Sequence, residues 1–110
     1  MTPTIVIRNV DLDKSTRHYI EDKFSFAFKR LRHAIHSAVV TVNDLNGPTK
    51  GGVDIQCRVL IKPVGLPSIV ISERQSRIRS AIDASLGRAS RCLVRKLRSR
   101  KQLFRHTSYR

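Results

Sequence analysis

The sequence predicts an α+β fold, a β-α-β-β-β-α two-layer sandwich in which two helices cover one face of a four-stranded sheet. Three observations predict it. First, apolar residues recur at helical spacing through the last third of the chain, from Ser76 to about Lys101: Ile78, Ile82, Leu86, Ala89, Leu93 and Leu97 form one stripe. Second, the stretch from Val53 to Lys62 alternates, with Val53, Ile55, Cys57, Val59 and Ile61 on one face and Asp54, Gln56, Arg58 and Lys62 on the other, Leu60 being the exception. Alternation means a sheet with one covered and one wet face. Third, each helical stretch has a single apolar stripe, so both helices must lie on that covered face.

The elements follow in order. Thr4-Ile5-Val6-Ile7-Arg8 is short and β-branched and reads as a strand. Asp13 is placed to cap a helix whose core face is Thr16, Ile20, Phe24, Ala27 and Leu31. Ala38-Val39-Val40-Thr41-Val42 opens a second strand that runs to about Leu45. The turn-rich segment Asn46-Gly47-Pro48-Thr49-Lys50-Gly51-Gly52 joins it to the alternating third strand. Pro63-Val64-Gly65-Leu66-Pro67 makes another turn, Ser68 to Ser72 forms the fourth strand, and Ser76 caps the last helix. The first strand, helix and second strand form a crossover that places the two strands parallel; the others follow as antiparallel hairpins. Residues 1–101 read as one domain, and 102–110 as a basic tail or frayed helix end.

Charge is the strongest functional signal. The chain carries 22 Lys+Arg against 8 Asp+Glu, a formal charge of +14. Residues 1–55 hold 8 basic and 6 acidic groups, whereas residues 56–110 hold 14 basic and 2 acidic, so nearly all the excess lies in the second half. Such asymmetry points to a nucleic acid or an anionic membrane surface as partner, against the alternative of a merely solvated charged face. No apolar run approaches the roughly 20 residues of a membrane span. The amino terminus, Met1-Thr2-Pro3-Thr4, shows no basic segment followed by an apolar one, which places the chain in the cytoplasm. Cys57 and Cys92 then read as two buried thiols rather than a disulfide.

The basic residues are organised. At about 100° per residue, Arg77, Arg88, Arg91, Arg95 and Arg98 fall opposite the apolar stripe of the last helix. From Arg88 to Arg98 the helix advances about 15 Å, more than one phosphate spacing on a nucleic-acid strand. The planar guanidinium binds phosphate oxygens in pairs and also stacks on bases. If about four phosphates of structured RNA are neutralised, log affinity should fall against log salt with a slope of roughly −3. On the first helix Tyr19, Lys23, Phe26 and Arg30 lie along one flank. Aromatic and basic groups interleave there as a base-stacking surface would require, although the favoured reading is that Tyr19 and Phe26 fill the groove between the helices with Lys23 and Arg30 bordering it. Lys29 and Arg32 look outward.

Other chemistries are poorly served. Of His18, His33, His36 and His106 only His33 and His36 are near each other, and no Cys or carboxylate lies at a ligand spacing to that pair, so no metal or other cofactor is expected. There is no phosphate-cradling Gly-x-x-x-x-Gly-Lys motif, no nucleophile elbow and no outstanding pair of carboxylates, which argues against an enzyme and a small-molecule substrate. Asp83, among arginines, reads as a charge-balancing group. Gly87, inside the last helix, weakens it by about 1 kcal/mol relative to alanine; it marks either a close approach to a partner or, preferably, a tolerated weak point.

The segment Arg17-His18-Tyr19-Ile20-Glu21-Asp22-Lys23-Phe24 resembles the first-helix pattern of the bacterial ribosome hibernation-promoting factor and ribosome-associated inhibitor family, also called sigma-54 modulation proteins. Ala81-Ile82-Asp83-Ala84 is similar to its second-helix signature, and Arg88, Arg91, Leu93, Arg95 and Lys96 continue the basic pattern. The resemblance spans roughly residues 4–101. It implies a non-catalytic factor that docks on the small ribosomal subunit, in the channel for messenger and transfer RNA, and inhibits translation by occupancy during stationary phase or stress. It also implies that ribosomal RNA is contacted by Lys23, Lys29 and Arg30 on the first helix and by Arg77, Arg79, Arg88, Arg91, Arg95, Lys96 and Arg98 on the second. Gly87, Ala89 and Cys92 depart from the family pattern, and the second helix is richer in arginine than is usual. With the chain ending near residue 110, the extra domain by which long members pair ribosomes is expected to be absent, and the free protein to be a monomer. The rival functions are a general double-stranded-RNA-binding module and a structural or assembly protein of the ribosome.

Overall fold

A computed structural model describes the backbone of residues 3–8, 14–44 and 54–108, with side chains up to residue 99. The elements are strand β1 (Thr4–Arg8), helix α1 (Lys14–Ala27), a 3-10 turn (Arg32–Ala34), strands β2 (Ile35–Asp44), β3 (Ile55–Pro63) and β4 (Ile69–Gln75), and helix α2 (Ile78–Ser108). The sheet order is β1-β2-β3-β4, with β1 parallel to β2 and the other pairs antiparallel. This is the expected order and pairing. Asp13 and the turn at 46–52 lie outside the described residues.

Alternation decides which face of the sheet is covered. The register aligns Ile5, Val40, Val59 and Ile71 in one cross-strand row and Ile7, Val42 and Cys57 in another. Val40, Val42, Ile55, Cys57, Val59 and Ile61 are fully buried beneath the helices. On the open face, Thr4, Val39, Leu60 and Val70 form a row, beside Val6, Thr41, Arg58 and Ser72.

Among the boundaries that differ from the expectation, three have a direct physical reason. β2 starts at Ile35 rather than Ala38, because a bulge between Ile35 and Ser37 breaks the alternation. The bulge lets Ile35 and Ala38, three residues apart, both point into the core. β4 runs on through Glu73, Arg74 and Gln75, polar residues held by pairing with β3 rather than by an apolar pattern. In α2 the carbonyl of Arg77 accepts the first helical bond, from Ala81 at 3.1 Å, so the cap position is Arg77 and not Ser76. Between β3 and β4, Gly65 takes φ 70°, the left-handed conformation that favours glycine.

The core face of α1 is Ile20 and Phe24, continued by Phe28 just beyond the helix end. Phe28 was not among the expected core residues; Ala27 and Leu31, which were, are half-buried. Phe28 N still bonds the Phe24 carbonyl at 3.0 Å, so the four-residue spacing from Ile20 and Phe24 carries its ring inward against Phe24, centroids 4.7 Å apart. The stripe of α2 packs as expected, with Ile82, Leu86, Ala89 and Leu93 buried and Ile78 and Leu97 at its margins. Small residues Ala81, Ser85 and Ala89 on that face let the helix lie close to the sheet. The Ser85 hydroxyl lies 3.0 Å from the Cys57 sulfur and 3.1 Å from the Ile82 carbonyl oxygen. Both cysteines are free; Cys57 is buried as expected, but Cys92 only half so. Burial pushes the Cys57 thiol above its ordinary pKa, with Ser85 acting weakly the other way.

The helical backbone continues beyond Lys101 to Ser108. Its 31 residues make a rod of about 46 Å, and among the described side chains Leu97 is the last one packed against the core. Gly87 is tolerated where it lies: a Cβ built there would meet only Arg91 Nη1, at 3.3 Å, the free end of a flexible chain. Replacing Gly87 by alanine should therefore stabilise the fold by about 0.5–1 kcal/mol, the difference in helix propensity. Urea unfolding should show a higher midpoint with an unchanged slope; a lower midpoint would mean that Arg91 cannot give way.

Candidate nucleic-acid interface

A helix with one buried stripe must expose the rest, and here the rest is arginine. Residues 78–108 contain a single acidic residue, Asp83. Arg77, Arg79, Arg88, Arg91, Arg95 and Arg98 are exposed, as are Lys23 on α1 and Lys29 and Arg30 after it. Lys29 and Arg30 lie on the turn that follows α1, not on the helix itself, because the helix ends at Ala27. Lys96 is half-buried, seven residues after Ala89 on the inner edge of α2, apart from the outer arginine face.

The arginines are not equivalent. Arg88 Nη1 lies 2.6 Å from Glu73 Oε1 on β4, so part of its charge ties the helix to the sheet edge. Arg74 forms a second ion pair with Asp54, which holds the Arg74 guanidinium above its ordinary pKa. Among the described residues no carboxylate pairs with Arg91, Arg95 or Arg98. These three, with Ser90 and Val94, line a shallow open depression of about 520 Å³. Their spacing of four and three residues gives a rise of about 10 Å, and the low acidity around them leaves a concentrated positive field.

The groove between the helices is organised by Tyr19. Its hydroxyl donates to Asp83 Oδ1 at 2.7 Å. The Arg79 guanidinium carbon lies 4.7 Å and the Lys23 ammonium 5.6 Å from the ring centroid, both within cation–π range. Partial burial, and then the hydrogen bond to Asp83, raise the Tyr19 phenol above its ordinary value. Asp83 is thus the tie between helices that balances nearby cations. Tyr19 fills the groove as expected, but Phe26 does not: it is 82% exposed. Lys23 borders the groove, whereas Arg30 does not line it. The exposed Phe26 was legible only as an aromatic on the helix flank; its angle to the neighbouring helix depends on how α1 and α2 pack.

Among the described residues no three or more His, Cys, Asp or Glu side chains gather where a metal ion would be held. His18 meets only Asp22, at 3.4 Å, one turn along α1. No helix among the described residues is long and apolar enough to cross a membrane.

The family model for sigma 54 modulation protein / S30EA ribosomal protein matches residues 4–102. The N-terminal domain of Protein Y from Thermus thermophilus superposes with a TM-score of 0.69 at 17% identity, over 86% of this chain and 98% of that one. A ribosomal subunit interface protein from Coxiella burnetii superposes with a TM-score of 0.71 at 14% identity, over 87% and 97% of the two chains. At these identities the structural likeness is one of fold. Comparison with curated proteins gave no match.

Replacing Tyr19 by phenylalanine removes the bond to Asp83 while leaving the ring, and should reduce stability by about 0.5–1.5 kcal/mol. Because folding raises the phenol's pKa, this contribution is fully present below the unfolded-state value near 10 and is lost as pH rises through the folded-state value. Melting curves of the two proteins should differ at neutral pH and converge in alkali; a gap that persists after the phenol has ionised would contradict the assignment.

Proposed function

The chain belongs to the sigma 54 modulation protein / S30EA ribosomal protein family, whose members are ribosome-associated factors, and we propose that it is a hibernation factor that binds small-subunit ribosomal RNA in the messenger and transfer RNA channel and blocks translation by occupancy. The observation that carries the reading is the face of Arg91, Arg95 and Arg98, which have no carboxylate partner among the described residues, on a helix whose backbone continues to Ser108. Three guanidinium groups without carboxylate neighbours suit a row of phosphates, and a projecting helix can enter a cleft that the sheet cannot.

No bond is made or broken in this mechanism. The factor's residence excludes messenger and transfer RNA, so affinity and geometry determine inhibition. Arg91, Arg95 and Arg98 neutralise phosphates directly. Lys23, Lys29, Arg30, Arg77 and Arg79 extend the field around the near end of α2, and Lys96 lies to the side of the main face. Arg88 has a second role, since its pairing with Glu73 positions α2. The protein acts as a monomer in the cytoplasm, needs no cofactor and takes no small-molecule substrate. Accumulation in stationary phase or stress distinguishes it from a structural ribosomal protein, which is stoichiometric in growing cells and stays bound in high salt.

Co-sedimentation with ribosomal subunits, with duplex RNA as competitor and salt raised stepwise, tests this. The wild-type protein should stay on the small subunit despite competitor and leave as salt rises. Simultaneous replacement of Arg91, Arg95 and Arg98 by alanine should abolish binding at moderate salt and lower the magnitude of the salt slope by roughly 2–3. The melting temperature of that variant should change little, since these are surface positions. Unchanged binding by a folded variant would overturn the proposed face. Equal partition of wild type onto competitor would leave a general duplex-RNA-binding module.

A further inference from the structure

Phe26 is the most exposed large apolar side chain among the described residues, and it stands in a basic environment. It lines the interhelical groove with Lys23, Ala27, Leu86, Gly87 and Ser90. Such a ring adds nothing to the core; an exposed apolar side chain by itself is ordinary, and what sets this one apart is its setting beside cations in a groove. Gly87 keeps one wall of the groove free of a side chain. The Arg91 guanidinium reaches back over that wall, since a Cβ on Gly87 would lie 3.3 Å from its Nη1. The groove thus offers an aromatic face, a wall of bare backbone and two cations, Lys23 and Arg91. Its one acidic group, Asp83, has an oxygen bonded to Tyr19, and it disfavours a phosphate but not a base at that point.

We propose that this groove is a nucleotide pocket in which Phe26 stacks on an unpaired RNA base while Lys23 and Arg91 hold the phosphates on either side. The inference rests on the RNA-binding reading above and adds to it a class of target: a single-stranded, bulged or splayed nucleotide rather than a duplex, whose bases are already covered. Charge complementarity selects RNA over a protein partner, because the cations beside the ring match a polyanion and an apolar peptide would leave them without counter-charge. Stacking on aromatic side chains is the usual way in which unpaired bases are bound, and is tolerant of sequence.

The chain contains no tryptophan, so Phe26→Trp installs a unique fluorophore at the site. Titration with a short oligoadenylate and with small ribosomal subunits should quench it, whereas a duplex RNA bound on the arginine face should not. Phe26→Ala should weaken oligoadenylate binding about 5- to 100-fold with the salt slope unchanged, because stacking releases no counterions. Phe26→Ala that binds like a competent wild type would overturn the pocket and leave the arginine face standing. A tryptophan signal that responds to intact subunits but to no protein-free RNA would overturn it in favour of a ribosomal-protein contact. A wild-type chain that binds neither RNA nor subunits would overturn both readings together.

Discussion

The closeness of α2 to β3 depends on small side chains. Ala81, Ser85 and Ala89 present almost no bulk, and the Ser85 hydroxyl comes within 3.0 Å of the Cys57 sulfur in the middle of the sheet. At that distance Ile82, Leu86 and Leu93 join Val59 and Ile61 in one buried core, each fully buried side chain contributing about 1.5–3 kcal/mol. A larger residue at Ser85 would lift the helix and loosen those contacts together. The same seat fixes the rotation of α2 about its axis, and so decides which residues face water.

That rotation explains how a strongly cationic helix is tolerated. Each arginine is about one turn from the next, inside a Debye length, and each such like-charged pair on an exposed helix face costs only about 0.2–0.5 kcal/mol. The nearby acids stand at the margins of the helix: Glu73 holds Arg88 at the β4 edge, and Asp83 receives Tyr19 at the α1 edge. They anchor both flanks and leave the outermost line of Arg91, Arg95 and Arg98 without a partner among the described residues. The arginine that ties the helix to the sheet is thereby distinct from the three proposed to bind. The arrangement stores electrostatic repulsion that a polyanion relieves, which favours association.

Two surfaces result from the packing. The outer face is a row of charges suited to phosphates, sensitive to salt and indifferent to base identity. The interhelical groove is smaller and partly apolar, built from Phe26, Gly87 and the flanking cations, and suited to a base. In the proposed reading, contacts of the first kind would supply attraction and those of the second would discriminate paired from unpaired RNA. Neither requires the sheet's open face, where Val39, Leu60 and Val70 form an apolar row next to Arg58.

Local patterns in the chain were enough to reveal the order of elements, the covered face of the sheet and the arginine stripe, because periods of two and 3.6 residues are set by backbone geometry before any tertiary contact forms. The bulge that admits both Ile35 and Ala38 and the polar extension of β4 were not legible, since each follows from a strand partner remote in sequence or from a break in the period; the burial of Phe28, by contrast, continues the four-residue spacing of Ile20 and Phe24. The candidate site divides the same way. That Arg88, Arg91, Arg95 and Arg98 share a face was determined by their spacing. That Arg88 is taken up by Glu73 and that Phe26 is left bare beside the groove was decided only by the tertiary structure. Charge pairing and exposure depend on distances between elements, and those distances are set by packing rather than by the order of residues along the chain.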